Sequence, residues 1–217
     1  MIKKDKPACA KATARQSKII KMINNRQEGV IVLENIADEH NAAAVWRSAD
    51  AFGFQKIYLV FSVEKSFNPK RVGKKSSASA NKWLSFKTFK SINECYKELK
   101  NEGYKIYATV LDEEARKIPA KAGRRETRFE KKKIALVFGN EHRGLSEEAI
   151  KGADEKIYIP MKGMVQSLNL SVSAGILMYE VSRQRSASAK GYGETREGYK
   201  LSNNEKKELI KEFVNLK

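Results

Sequence analysis

Three stretches of this chain carry residue types capable of chemistry. The first, Asn41-Ala-Ala-Ala-Val-Trp-Arg47-Ser-Ala49, sets a polar Asn at the start of a small-residue helix and an Arg among apolar neighbours further along it. A guanidinium holds its charge and can steady an anion; it can equally be a surface or salt-bridged Arg. The second, Leu136-Val-Phe-Gly139-Asn140-Glu141-His-Arg-Gly144-Leu145-Ser146, runs an apolar segment into two glycines flanking polar residues. Glycine permits a tight turn and close approach of backbone to a ligand, although an ordinary strand-to-helix turn reads the same way. The third runs from Ile157-Tyr-Ile159-Pro160-Met161 to Gln166-Ser167-Leu168-Asn169-Leu-Ser171-Val-Ser173. Free N–H groups at such a Ser/Asn-rich helix start can hold polar ligand groups, or Ser167 or Asn169 simply caps the helix.

The elements that must position these residues follow from apolar patterning. Val30–Leu33, Ile57–Val60, Lys105–Leu111, Ile134–Phe138 and Ile157–Pro160 read as strands. Helices are expected over about 12–27, 41–52, 92–101, 168–184 and 202–216, with a short one starting near Ser146. Wholly apolar strands alternating with helices predict an α/β fold with a parallel sheet covered on both faces. Ligands then bind beyond the strands' carboxyl ends, which directs attention to the loops after Leu111, Phe138 and Ile159.

Several chemistries lack their residues. There is no P-loop, no G-x-G-x-x-G after the first strand, no H-E-x-x-H and no G-x-S-x-G. The two histidines, His40 and His142, cannot form a multi-histidine metal site and read as loop residues. Cys9 and Cys95 suggest neither a disulfide framework nor zinc, so no metal is expected.

Charge points to a polyanion. Lys and Arg number 43 against 26 Asp and Glu, a formal +17. Residues 65–90 carry Lys65, Lys70, Arg71, Lys74, Lys75, Lys82, Lys87 and Lys90 with no acidic residue. Such fields attract nucleic acid, although a basic surface can also be merely solvated. No apolar run reaches membrane-spanning length and no signal peptide is evident, so a cytoplasmic location without membrane association is expected.

Taken in order, the three stretches resemble motifs one to three of the SpoU family of SPOUT methyltransferases, over about residues 30–184. Ser76–Trp83 resembles that family's basic loop. Val32-Leu-Glu-Asn35, the basic N-terminal helix and the C-terminal helical tail are similar to the TrmH branch, which methylates the 2′-hydroxyl of a tRNA D-loop guanosine (guanosine-18). The resemblance implies an RNA 2′-O-methyltransferase using S-adenosylmethionine, with a C-terminal trefoil knot and a homodimer packed through the knots. It implies three parts: a basic helical extension at 1–28, the methyltransferase domain at 29–184, and a linker with a helix at 185–217. Arg47 would stabilise the forming alkoxide, Asn41 would orient Arg47 or the ribose, and Glu141 would hold Arg47 or other donors. Ser167 and Asn169 would shape the site near the methyl group. The cofactor would lie against Thr109, Leu111, Gly139, Asn140, Ile159, Met161, Ser167 and Leu168, mostly on backbone groups. RNA phosphates would meet Arg15, Lys18, Arg71, Lys74, Lys75 and Lys82. Two departures from the family pattern bear on packing or substrate fit: Ala43 where Gly is common, and His142-Arg143 after Gly-Asn-Glu. Competing readings are an enzyme acting on ribosomal RNA or another tRNA position, a base-modifying SPOUT enzyme, a non-catalytic RNA-binding module and a ribosomal structural protein.

Overall fold

The structure, a computed structural model, describes residues 8–72, 80–112, 115–117, 129, 131–186 and 194–216, with backbone alone at 8–13 and 116–117. Seven strands form one sheet: β1 (Gln27–Glu34), β2 (Phe54–Val60), β3 (Ser85–Phe89), β4 (Lys105–Thr109), β5 (Arg116–Lys117), β6 (Ile134–Phe138) and β7 (Glu155–Tyr158). Their order is β3-β2-β1-β6-β4-β7-β5 and every pairing is parallel. Six α-helices accompany them: α1 (Ala8–Asn24), α2 (Glu39–Ala51), α3 (Ile92–Asn101), α4 (Glu147–Gly152), α5 (Leu170–Arg185) and α6 (Asn203–Val214).

The apolar runs are continuous because both sheet faces are covered. Side chains alternate between faces along a strand. Ile31, Leu33, Leu136 and Phe138 therefore pack under α2 and α5 with Trp46, Leu177 and Met178. Val30, Val32, Ala135 and Val137 pack on the other side with Cys95 and Leu99 of α3. A third cluster joins the two ends of the chain: Ile19 and Ile23 of α1 meet Leu209 and Phe213 of α6. Trp83 seals it edge-on against Phe213 at 5.4 Å.

Two buried guanidiniums tie these layers together. Arg26 bonds the Asp50 side chain at 2.5 Å and the backbone carbonyls of Asp50, Phe54 and Trp83. Arg185 donates to Gln27 Oε1 and to the carbonyls of Glu28, Lys131 and Lys132, while Tyr199 stacks over it. Burial pulls the Arg185 guanidinium down to about 10, against the raising influence of Tyr199 and Glu28.

Local rules set several boundaries. Helix α2 ends at Ala51 with Phe52 as its C-cap, and Gly53 follows at φ +77°, where a glycine has no Cβ to clash. Ser91, Ser146 and Ser202 cap α3, α4 and α6 by accepting a backbone N–H. Asn169, rather than Ser167, caps α5. Other elements differ from expectation. Strand β3 lies in a stretch given no element, because it is a short edge strand whose side chains are largely exposed. Strand β7 begins two residues earlier than expected and ends at Tyr158, so Ile159 already belongs to the following loop. His40 sits in the first turn of α2, not in a loop, because the Asp38 side chain accepts its N–H and starts the helix there.

Candidate active site at the carboxyl ends of the strands

Strands β1, β4, β6 and β7 all deliver their following loops to one end of the sheet, where α2 and α5 also begin. A cavity of about 630 Å³ opens there. Its walls include all of Thr109, Leu111, Gly139, Asn140, Ile159, Met161, Ser167 and Leu168, together with Asn41, Glu141 and Asn169.

One wall is a turn that only glycine permits. Asn140 and Gly144 exchange two backbone hydrogen bonds at 2.9 Å. This folds residues 139–145 so tightly that a Cβ on Gly139 would lie 2.2 Å from the Gly144 carbonyl carbon. Asn140 is buried and works on both sides of the turn. Its Oδ1 accepts the N–H of His142 and Arg143, and its Nδ2 donates to the Asn35 carbonyl at 2.7 Å. The far end of the turn is fixed by Glu34, whose buried carboxylate accepts both the N–H and the hydroxyl of Ser146.

The three chemistry-bearing stretches meet in one hydrogen-bonded line. Asn169 Nδ2 donates to Asn41 Oδ1 at 3.2 Å, and Asn41 Nδ2 donates to Glu141 Oε1 at 3.1 Å. Glu141 Oε2 accepts the Ala37 N–H at 3.2 Å. Asn169 Oδ1 takes the N–H and hydroxyl of Ser171, so the α5 cap and the contact to α2 are one side chain. Glu141 thus holds Asn41 and the start of α2, not Arg47. Asn41 has both polar ends engaged within this line.

Arg47 stands apart. Six residues on from Asn41, it is rotated by about 120° around α2 and displaced by about 9 Å along it. It is exposed, lies outside the cavity wall and has no hydrogen-bond or ion-pair partner among the described residues. Thr109 turns its hydroxyl to the Val137 carbonyl at 2.8 Å, leaving its backbone to the cavity. Ser167 is exposed on the cavity rim.

Of the basic residues expected to meet RNA, Arg15, Lys18, Arg71 and Lys82 are exposed, and Arg15 also bonds the Leu216 carbonyl. Lys74 and Lys75 lie outside the described residues. The segment before them is held by Phe61 and Phe67 packed against each other, with Phe67 against Trp46. Asn81 adds long hydrogen bonds to the carbonyls of Pro69, Lys70 and Val72. Ala43, the departure in motif one, is fully buried in the α2 face of the core. Sequence reasoning missed the parts of Glu34 and Asn35. The one local signal was an Asn at a strand end, a residue type that tolerates positive φ.

A cavity of this size suits a ligand of drug-like dimensions. Leu111, Ile159, Leu168 and Leu177 supply apolar surface, and the Gly139–Leu145 turn supplies backbone at close range. These residues fit S-adenosylmethionine, which joins a flat base, a ribose and a short charged chain. Among the described residues no group of three or more His, Cys, Asp or Glu could hold a metal.

A parallel α/β sheet, with its cavity built chiefly on the loops after β4, β6 and β7 instead of a glycine-rich first turn, fits a methyltransferase domain of the SPOUT class. The model of the SpoU rRNA Methylase family matches residues 28–179, and the chain belongs to that family. It is 37% identical over 175 residues to a tRNA (guanosine(18)-2′-O)-methyltransferase of Thermus thermophilus, covering 79% of this chain and 84% of the relative. The Escherichia coli K12 enzyme of the same name is 34% identical over 172 residues, covering 79% and 70%. A solved A. aeolicus TrmH/SpoU tRNA modifying enzyme superposes with a TM-score of 0.76 at 29% identity, covering 95% of this chain and 99% of that one.

Proposed function

We propose that this chain methylates the ribose 2′-hydroxyl of a guanosine in the tRNA D-loop, with S-adenosylmethionine as donor. The observation that carries the reading is the Asn169–Asn41–Glu141 line, which joins all three motif stretches along the wall of the Gly139–Leu145 cavity. When bound, the donor supplies an electrophilic methyl on a positively charged sulfur, so no metal is needed. The 139–145 turn and the backbone of Thr109, Ile159 and Leu168 would hold the donor, and its methyl would pass to the ribose oxygen with the carbon–sulfur bonding pair left on sulfur and the hydroxyl proton released to solvent or a phosphate.

The residues' task is to make a poor nucleophile competent. A guanidinium near the ribose stabilises the forming alkoxide without surrendering its own proton. Arg47 is the candidate. Its exposed position on α2, away from its own cavity, fits a site completed across a two-fold axis. Val172, Ile176 and Tyr179 form an exposed apolar stripe along α5, and Met164 and Val165 add to it. A second copy packed there accounts for that surface, and the trefoil knot implied by the family belongs to the same proposal. Arg15, Lys18, Arg71 and Lys82, with Lys74 and Lys75, would carry the tRNA backbone. The core at 29–184 would hold the chemistry, flanked by the extensions at 1–28 and 185–217, in the cytoplasm.

The test is methyl transfer from labelled S-adenosylmethionine to unmodified tRNA and, separately, to ribosomal RNA, followed by nucleoside mass spectrometry. 2′-O-methylguanosine from tRNA is expected. Product on ribosomal RNA alone overturns the substrate, a methylated base overturns the ribose assignment, and cofactor binding without product on either RNA overturns both.

A further inference from the structure

Asn35 lies outside the cavity wall, yet two of the surrounding loops hang from it. It is buried at the end of β1 and adopts φ +51°, the only non-glycine among the described residues in the left-handed region. That conformation is unfavourable for most side chains and tolerated best by Asn and Asp. The side chain has to earn its place through its contacts.

Those contacts reach two other loops. Asn35 Oδ1 accepts the successive N–H groups of Ser62, Val63 and Glu64 at 2.9, 3.0 and 3.4 Å. Its Nδ2 donates to Ser62 Oγ at 2.9 Å. Its carbonyl accepts Asn140 Nδ2 at 2.7 Å, and Asn140 in turn holds the N–H groups of His142 and Arg143. The ring closes where the Arg143 guanidinium pairs with Glu64. The turn at 62–64 opens the segment that carries exposed Lys65, Lys70 and Arg71, while 139–145 is the cavity wall. One buried residue therefore joins the start of the basic loop to the wall of the cofactor cavity.

We propose that Asn35 is a positioning residue that couples RNA engagement by the loop after β2 to cofactor binding, so that each ligand tightens the other. This rests on the assignment of the cavity to S-adenosylmethionine and of the basic loop to tRNA. Coupling of this kind is reciprocal, and values of about fivefold and upward are ordinary. Arg143, one of the departures from the family pattern, closes the ring with Glu64 and so tunes the coupling.

The probe is S-adenosylhomocysteine, which occupies the cavity without reacting. Its Kd is measured by calorimetry with and without a saturating unmodified tRNA transcript, on the wild-type protein and three variants. Asn35→Gly keeps the backbone conformation free of strain and removes every side-chain contact. Asn35→Asp keeps the acceptor for the three N–H groups. Arg143→Gln breaks only the ion pair. The wild type is expected to bind the probe about fivefold or more tightly when tRNA is present. Asn35→Gly should bind it more weakly alone and lose the tRNA effect, Asn35→Asp should restore most of that effect, and Arg143→Gln should fall between. A purely structural role would lower Tm and the binding-competent fraction but leave the ratio of the two Kd values unchanged, and that result overturns the proposal. So does a wild type that binds both ligands independently. A wild type that binds no S-adenosylhomocysteine at all overturns the assigned function, and the coupling with it.

Discussion

An alanine at Gly139 tests the cavity wall most directly. The added Cβ meets the Gly144 carbonyl carbon at 2.2 Å and its oxygen and Leu145 N at 2.3 Å. All three are backbone atoms, so no side chain can swing away. Relief requires the 139–145 turn to open by about 1 Å, which stretches both Asn140–Gly144 hydrogen bonds. Each such bond contributes about 1 kcal/mol net, and overpacking strain adds about 1–3 kcal/mol. The total, about 3–5 kcal/mol, corresponds to a Tm drop of roughly 6–20 °C for a chain of this size. A wall displaced by that distance should also weaken cofactor binding by at least about tenfold, since misplacements of 1 Å cost up to about a hundredfold. Gly144→Ala is the internal control. Gly144 has φ +69° but open space around its missing Cβ, so alanine costs about 1–2 kcal/mol of backbone strain there. Calorimetric Tm and S-adenosylhomocysteine Kd are measured on both. If Gly139→Ala keeps the wild-type Kd and melts within about 2 °C of it, the close-approach argument is wrong.

Other perturbations separate chemistry from architecture. Arg47→Ala removes an exposed side chain without an internal partner, so stability should change by less than about 0.5 kcal/mol; cofactor binding should persist while kcat falls about a hundredfold or more. Near-normal turnover would refute the role given to Arg47. Arg185→Met strips a buried guanidinium from three backbone carbonyls and Gln27 Oε1, and should cost about 3–5 kcal/mol in denaturant unfolding. Burial alone would raise the Glu205 carboxyl, but hydrogen bonds from Lys56 and Ser202 outweigh it and hold the group at about 2. A carboxylate depressed in the folded state contributes stability above its unfolded pKa of about 4.3 and loses it as pH falls toward 2. Hydrogen exchange in α6 should therefore accelerate from pH 5 to pH 2, by about 1 kcal/mol of local stability given the partial exposure of the pair. Glu205→Gln, which retains the capping box, should flatten that profile.

How much could be read from the chain depended on the range of the interaction. Strands β1 and β6 were legible because burial on both faces leaves four or five consecutive apolar residues. Helix α3 was legible to its ends because Ser91 caps it locally and an amphipathic face runs through Ile92, Cys95, Tyr96 and Leu99. Strand β3 was not, since an exposed edge strand needs little apolar surface on either face. Within the site, residue types and order were legible but connectivity was not. Nothing around Asn41 indicates that its partners are Glu141 and Asn169, 100 and 128 residues away. The part played by Asn35 was hidden for the same reason: its partners sit on loops that only the fold brings to the end of β1.

The strand order also governs what the chain can do while it is being made. Strands β1, β2 and β3 neighbour one another and can pair as soon as residue 89 has left the ribosome. Strand β4 pairs only with β6 and β7, so at least the next 25 or so residues, including the basic stretch from Arg116 to Lys133, must emerge before it gains a neighbour. During that interval Ile106, Tyr107 and Ala108, all fully buried in the finished protein, remain uncovered beside the open edge of β1. Nascent chains stalled in this window should be the ones that bind chaperones or aggregate, whereas chains released beyond Tyr158 have every strand of the sheet available.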